Sequence, residues 1–322
     1  MKNLIRITIA SLLLAIPAWG YVTYRIRSGV DSSIAQLRWK DGVFPLQWRL
    51  NPTQGSNVTG SRTQAEVFRN SFQAWTGLST TNVAFQEGAV TETTVIPGND
   101  GINLVTTNLT AAQWTQLGGG GVIALTLLTF SDAPNFVDSV NRPFEFAGHV
   151  LEADIYFNPS LTFTTNTTAV SDRFDLQSVA THEAGHFLGL DHTTIVGSTM
   201  FWTIGRGQTY ARVLTADDIA GVSSIYPTSA FSAKGSISGT VRNTSNAAVF
   251  GAVVVAVNSS GVPVASAVTD TSGRYTIAGL DAGSYTLYAE PLDQPIQVGN
   301  IPTLTTIYPG STVVTNFTTR YR

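Results

Sequence analysis

Residues 181–192 read T-H-E-A-G-H-F-L-G-L-D-H, and the preceding run, residues 174–180, reads F-D-L-Q-S-V-A. The upstream run has a helical pattern, with Asp172 or Asp175 available to cap its start. On that helix His182 and His186 lie one turn apart on one face, where two imidazoles can grip one metal ion. Glu183 follows the first of them and lies beside the pair, within reach of a metal-bound water. Gly189 ends the helix, because it alone adopts positive φ without a Cβ penalty. The turn it permits brings His192 back as a third ligand. Three neutral imidazoles suit one catalytic Zn²⁺, with the fourth tetrahedral position left to water, whose pKa the metal lowers towards about 7. Glu183 is then the general base for that water and passes the proton to a leaving amine. The chemistry expected is metal-assisted hydrolysis of a peptide bond.

H-E-x-x-H alone is a weak signal. H-E-x-x-H-x-x-G-x-x-H fixes five residues across eleven positions and resembles the metzincin signature, which adds a downstream methionine turn. The chain has two methionines. One is the initiator, and the other is Met200, in G-S-T-M at residues 197–200. Within the metzincins the chain resembles the matrixins. The match runs through V-A-T-H-E-A-G-H-F-L-G-L-D-H (179–192), S-T-M (198–200) and L-T-A-D-D-I-A-G-V-S-S-I-Y (214–226). This resemblance implies an α+β fold with a mixed five-stranded sheet, an active-site helix, a C-terminal helix and a horizontal substrate cleft. It implies Met200 as a hydrophobic base under the zinc, and the Asp217/Asp218 pair as a brace for the methionine turn. Calcium is a further ion that it implies, with no ligands assigned here.

Three departures from the family pattern stand out. Eukaryotic matrixins stay latent through a propeptide cysteine; this chain has no Cys, and residues 21–36 are read as a short lead-in with little room for a propeptide. The family's structural zinc uses a His in a D-x-H-F-D strand, whereas D-I-Y-F-N at residues 154–158 puts Tyr156 there, and His149 is read as an ordinary polar residue. Trp202 stands where some metzincins carry a Tyr ligand two residues after the Met, so that ligand is not expected.

Composition narrows the rest. Of 322 residues 43% are apolar and 12% charged, with a net charge of −3. The charged share is about half that of an ordinary globular chain, roughly 25%. With three lysines and no basic cluster, no nucleic-acid partner is expected. The absence of cysteine excludes thiolate metal sites and a disulfide scaffold. Residues 1–20 read as a secretory signal peptide: Lys2 and Arg6, an apolar run from Ile7 to Ile16, Pro17, then Ala18-Trp19-Gly20 as a cleavage site. No stable membrane span is expected after its removal, so the chain is read as secreted, to a bacterial periplasm or beyond.

The peptidase-like region is assigned to residues 37–227 and a small polar linker to 228–234. Residues 235–322 show short strands separated by turns at Ser260-Gly261, Ser272-Gly273 and Ala282-Gly283, the pattern of a small all-β sandwich. G-S-I-S-G-T-V (235–241) and T-D-T-S-G-R-Y-T-I-A-G-L-D-A-G-S-Y-T-L (269–287) resemble the carboxypeptidase regulatory-like domain. That likeness implies a transthyretin-like sandwich without chemistry of its own. The function expected is an exported zinc endopeptidase acting on protein or peptide substrates through Glu183, with His182, His186 and His192 on the metal. The alternative is a catalytically inactive or narrowly specific extracellular binding or adhesion protein. A closed structural zinc site is disfavoured, because no Cys supplies a fourth ligand.

Overall fold

The computed structural model describes residues 22–91 and 99–321; the signal peptide read at residues 1–20 lies outside them. An N-terminal hairpin comes first, β1 (Arg25–Arg27) against β2 (Ile34–Gln36). There follow β3 (Leu46–Leu50), α1 (Gln64–Ala74), β4 (Phe85–Glu87), β5 (Leu104–Thr106), α2 (Ala111–Gln116), β6 (Ala124–Phe130), β7 (Val150–Phe157), α3 (Leu176–Phe187) and α4 (Ala216–Ile225). The five strands from β3 to β7 make one mixed sheet in the order β4-β3-β5-β7-β6, parallel throughout except for the antiparallel pairing of β7 with β6. Strand β6 is therefore an edge.

Local chemistry accounts for the two helices on which the site depends. Thr63 caps α1 and forms a reciprocal capping box with Glu66, which satisfies two of the orphan donors of a helix start. Val67, Phe68 and Phe72 then fall on one face, with Trp75 just beyond, and all four are buried. Phe72 stacks on Trp48 of β3 with centroids 4.6 Å apart, and Phe68 meets Phe157 of β7 at 5.5 Å. Each such side chain contributes roughly 1.5–3 kcal/mol by leaving water. Helix α3 starts at Asp175, whose side chain accepts from Ser178 N at 2.8 Å and pairs with the Arg212 guanidinium. At its other end Trp39 Nε1 donates to Phe187 O (2.8 Å) and Tyr226 Oη to Leu188 O (2.8 Å). The last carbonyls of a fully buried helix are thereby satisfied.

Beyond α4 the chain makes a short helical turn, α5 (Ser229–Ser232), within the segment read as a linker. The C-terminal region is β-rich. Strands β8 (Gly235–Thr240), β9 (Val253–Asn258), β10 (Pro263–Val268), β11 (Arg274–Leu280) and β12 (Tyr285–Glu290) precede a six-residue helix, α6 (Pro302–Ile307), and β13 (Arg320–Tyr321). They form a four-stranded sheet, β10-β9-β12-β13, and a two-stranded ribbon, β8-β11. Two details differ from the sequence pattern. The segment 312–318, within the region read as all-β, forms no strand. Helix α6 was not expected, because its threonines favour strands; Pro302 at its first turn supplies a φ already suited to a helix.

This region packs directly on the first. Ala220 of α4 joins the core of Val254, Ala265, Ala267 and Ile277. Phe201 lies in a second core with Phe250, Val253, Ile296 and Ile301, against which Val22 and Ile34 also pack. Arg27 of the hairpin donates to Ile307 O at 3.0 Å. Among the described residues no helix is long and apolar enough to cross a membrane.

Candidate metal centre

His182 and His186 project from one face of α3, with ring centroids 4.6 Å apart. His192 reaches the same point from the chain beyond the helix, its ring 5.3 Å from His182 and 4.9 Å from His186. Gly189, at φ +93°, makes the return possible. A Cβ there would also stand 2.3 Å from Leu37 O, so the position excludes side chains twice over. One ligand atom from each of the three histidines lies within 4.8 Å of the others, and this group could hold one metal ion. Among the described residues no other such group of His, Asp or Glu occurs.

The ring orientations test whether zinc fits. His182 Nδ1 lies 2.7 Å from Thr199 O, His186 Nδ1 2.8 Å from Leu190 O, and His192 Nδ1 2.6 Å from Asn300 O. A carbonyl only accepts, so each Nδ1 must carry the hydrogen and each Nε2 presents its lone pair. Burial pushes His182 down to about 3 and His186 well below the usual histidine range, which keeps these rings neutral. Three imidazoles, each with its Nδ1 fixed by a carbonyl, are the donor set that zinc prefers.

Glu183 is buried beside the ligands, 4% exposed. Thr126 of edge strand β6 donates its hydroxyl to Glu183 Oε2 at 2.6 Å, and the same hydroxyl lies 3.1 Å from Glu183 O. Burial raises the Glu183 carboxyl to about 7, while the Thr126 hydrogen bond pulls the other way. Nothing in the run A-L-T-L-L-T-F of β6 marks Thr126 as anything but a strand residue.

Beneath the helix lies Met200, 2% exposed. A Cβ on Gly185 would come within 2.2 Å of its Sδ and 2.9 Å of Trp75 Cζ2, so the glycine inside the motif is what lets the methionine approach. The turn carrying Met200 is held by Asp218. Its Oδ1 accepts from Met200 N at 2.9 Å, and its Oδ2 from Thr199 N at 3.0 Å and Thr215 N at 2.7 Å. Its neighbour Asp217 does something else: it accepts from the Thr193 hydroxyl and from Ser266 N of β10 at 2.8 Å. The pair therefore divides its work between the methionine turn and the C-terminal region.

The N-terminal segment, read only as a lead-in, closes the other side. Tyr24 N donates to Gly189 O (2.8 Å) and Asp191 N to Val22 O (3.0 Å). The Tyr24 ring stacks on His186 at 5.4 Å. Trp202 turns from the ligands and donates its indole N–H to Pro295 O at 3.0 Å. Tyr156 is fully buried, its hydroxyl donating to Asp154 Oδ2 at 3.1 Å. His149 accepts from Glu145 N through Nδ1 (3.0 Å) and stacks on Phe146.

Residues 138–227 match the matrixin family model, and residues 236–319 match that of the carboxypeptidase regulatory-like domain. Metalloendoproteinase 1 of Glycine max is 28% identical over 189 residues, 59% of this chain and 52% of that protein. Metalloendoproteinase 1-MMP of Arabidopsis thaliana is 48% identical over 52 residues, 16% of this chain and 14% of its own length. Matrilysin of Mus musculus is 47% identical over 47 residues, 15% of this chain and 18% of its own. The chain thus spans about half of the soybean relative and far less of the other two.

Proposed function

We propose, from the premise that the chain is a matrixin-like metallopeptidase with a C-terminal carboxypeptidase regulatory-like domain, that it is an exported zinc endopeptidase. The observation that carries this reading is the convergence of three imidazoles, each locked through Nδ1 to a carbonyl, around a buried Glu183. His182, His186 and His192 would hold zinc through Nε2. Zinc bound there would polarise the scissile carbonyl and acidify water at its open position.

The chain's own residues do the rest. Glu183 accepts a proton from the attacking water and hands it to the leaving amine. Its carboxyl, raised to about 7 by burial, is matched to taking and returning a proton near neutral pH. Thr126 points the carboxylate through Oε2. Strand β6 has no further strand on its outer side among the described residues, and such an edge can pair with an extended peptide and lay it along α3. We read residues 1–20 as the export signal, 37–227 as the peptidase domain and 235–322 as a transthyretin-like sandwich.

The test is cleavage of a denatured general protein substrate by the chain lacking residues 1–20, beside Glu183→Ala and a zinc chelator. Loss of activity in both controls, by about 10²–10⁴-fold for the variant, is expected. Full activity in Glu183→Ala overturns the assignment of the base. A folded, zinc-loaded wild type that cleaves no substrate moves the reading to a binding protein.

A further inference from the structure

Two of the three carbonyls that fix the histidines come from the chain's own metal-binding region, Thr199 and Leu190. The third belongs to Asn300, 108 residues beyond His192 and in the C-terminal domain. The contact is not solitary. Thr303 N donates to the buried Asp191 Oδ2 at 3.0 Å, and Asp191 Oδ1 accepts from His192 N at 2.7 Å. The Thr303 hydroxyl continues to Thr23 O at 3.1 Å. On one flank Trp202 is tied to Pro295 O, and on the other Asp217 to Ser266 N. Ile296 and Ile301, either side of Asn300, are buried with Phe201. The segment 295–303 is thus clamped against the third histidine by polar contacts set in an apolar core.

We propose that the C-terminal domain is a working part of the metal centre: the main-chain carbonyl of Asn300 is the positioning group that holds His192 with Nε2 facing the metal. The inference rests on the zinc site assigned above. Without this carbonyl, the His192 imidazole is left with Asp191 Oδ1 at 4.0 Å from Nδ1, beyond hydrogen-bond reach. Its ring is then free to rotate or to move its hydrogen to Nε2, which removes the lone pair from the site. Asn300 itself is held by its side chain, whose Oδ1 accepts from Gln297 N at 2.8 Å. The carbonyl can therefore be loosened without touching a ligand.

The experiment uses the full chain without residues 1–20. Zinc affinity is measured by competition with a chromophoric chelator, with no substrate present. Asn300→Ala combined with Trp202→Phe is expected to weaken zinc binding by about 10–100-fold, the usual effect of losing a ligand's outer partner. Asn300→Asp with Trp202 intact keeps the oxygen that Gln297 N–H needs and is expected to bind as wild type does. Thr276→Ala, in the β8-β11 ribbon far along the same domain, is expected to change nothing. In the unmutated chain, nitrogen-15 imidazole spectra should show His192 as the Nδ1–H tautomer, with a coupling across the hydrogen bond to the Asn300 carbonyl carbon. This measurement stands even if the double variant fails to fold. Unchanged affinity in a folded double variant, or an Nε2–H tautomer, overturns the proposal. A wild type that binds no zinc at all overturns the metal site itself, which is a different result.

Discussion

The hydroxyl of Thr126 lies 2.6 Å from Oε2 of Glu183 and 3.1 Å from the main-chain carbonyl of the same residue. A strand side chain thereby fixes both ends of Glu183 to the sheet edge. Replacing it by Val keeps the shape and removes the donor. A hydrogen bond to a charged group is worth about 1.5–3 kcal/mol, so Thr126→Val should lower kcat/KM by about tenfold or more. Zinc content should stay at wild-type level, because Thr126 touches no ligand. A fall in bound zinc would show that the threonine supports the metal site rather than the base.

Gly185 is the motif position whose missing Cβ lets Met200 approach the histidine-bearing helix. Alanine is favoured over glycine in a helix by about 1 kcal/mol, so propensity alone predicts a more stable protein. The opposite is expected. The new Cβ would overlap Met200 Sδ and crowd Trp75, and Trp75 is pinned by Nε1 to Thr181 O at 2.9 Å. Overpacking of this kind costs about 1–3 kcal/mol. Thermal melts of Gly185→Ala should show a lower Tm, and a Tm at or above wild type would mean that the methionine yields.

Asp218 accepts four hydrogen bonds with two oxygens, three from backbone N–H groups and one from the Thr215 hydroxyl. Asparagine supplies one oxygen and turns an NH₂ group against backbone donors. Asp218→Asn should therefore cost about 2–4 kcal/mol in urea unfolding, from the hydrogen bonds lost and the donors left buried. Asp217→Asn keeps its oxygen for Ser266 N, and the Thr193 hydroxyl can accept from the new NH₂ group, so it should cost less. Equal losses would remove the distinction drawn between the two carboxylates.

Asp154 gives the protein a pH dependence of defined sign. Burial, with Glu152 and Asp100 nearby, pushes its carboxyl up to about 8. The unfolded chain loses that proton near pH 4, whereas the folded chain keeps it until about 8. Between those values the native state binds more protons, so this group makes stability fall as pH rises. Asp154→Asn can accept from Leu104 N and donate to the Tyr156 hydroxyl. It should flatten the slope of unfolding free energy between pH 5 and 8, and an unchanged slope would assign the dependence to other groups.

The sequence by itself determined the three-histidine group and the helix that carries two of them. Residue type and a four-residue spacing fix which imidazoles share a face, Gly189 marks the end of that helix, and Asp172 or Asp175 offers a cap for its start. The helical spacing of Val67, Phe68 and Phe72 in α1, and of Trp75 just beyond it, is likewise a local feature. What stayed hidden depends on contacts between residues far apart in the chain. Thr126 looks like any strand threonine until β6 is laid beside α3. The N-terminal segment looks like a lead-in until Tyr24 stacks on His186. No side-chain pattern could mark the carbonyl of Asn300, since every residue has one. Only tertiary packing decides which carbonyl arrives beside a histidine. The tail, read as a module with no chemistry of its own, is placed against His192 by the burial of Phe201, Ile296 and Ile301 in one core.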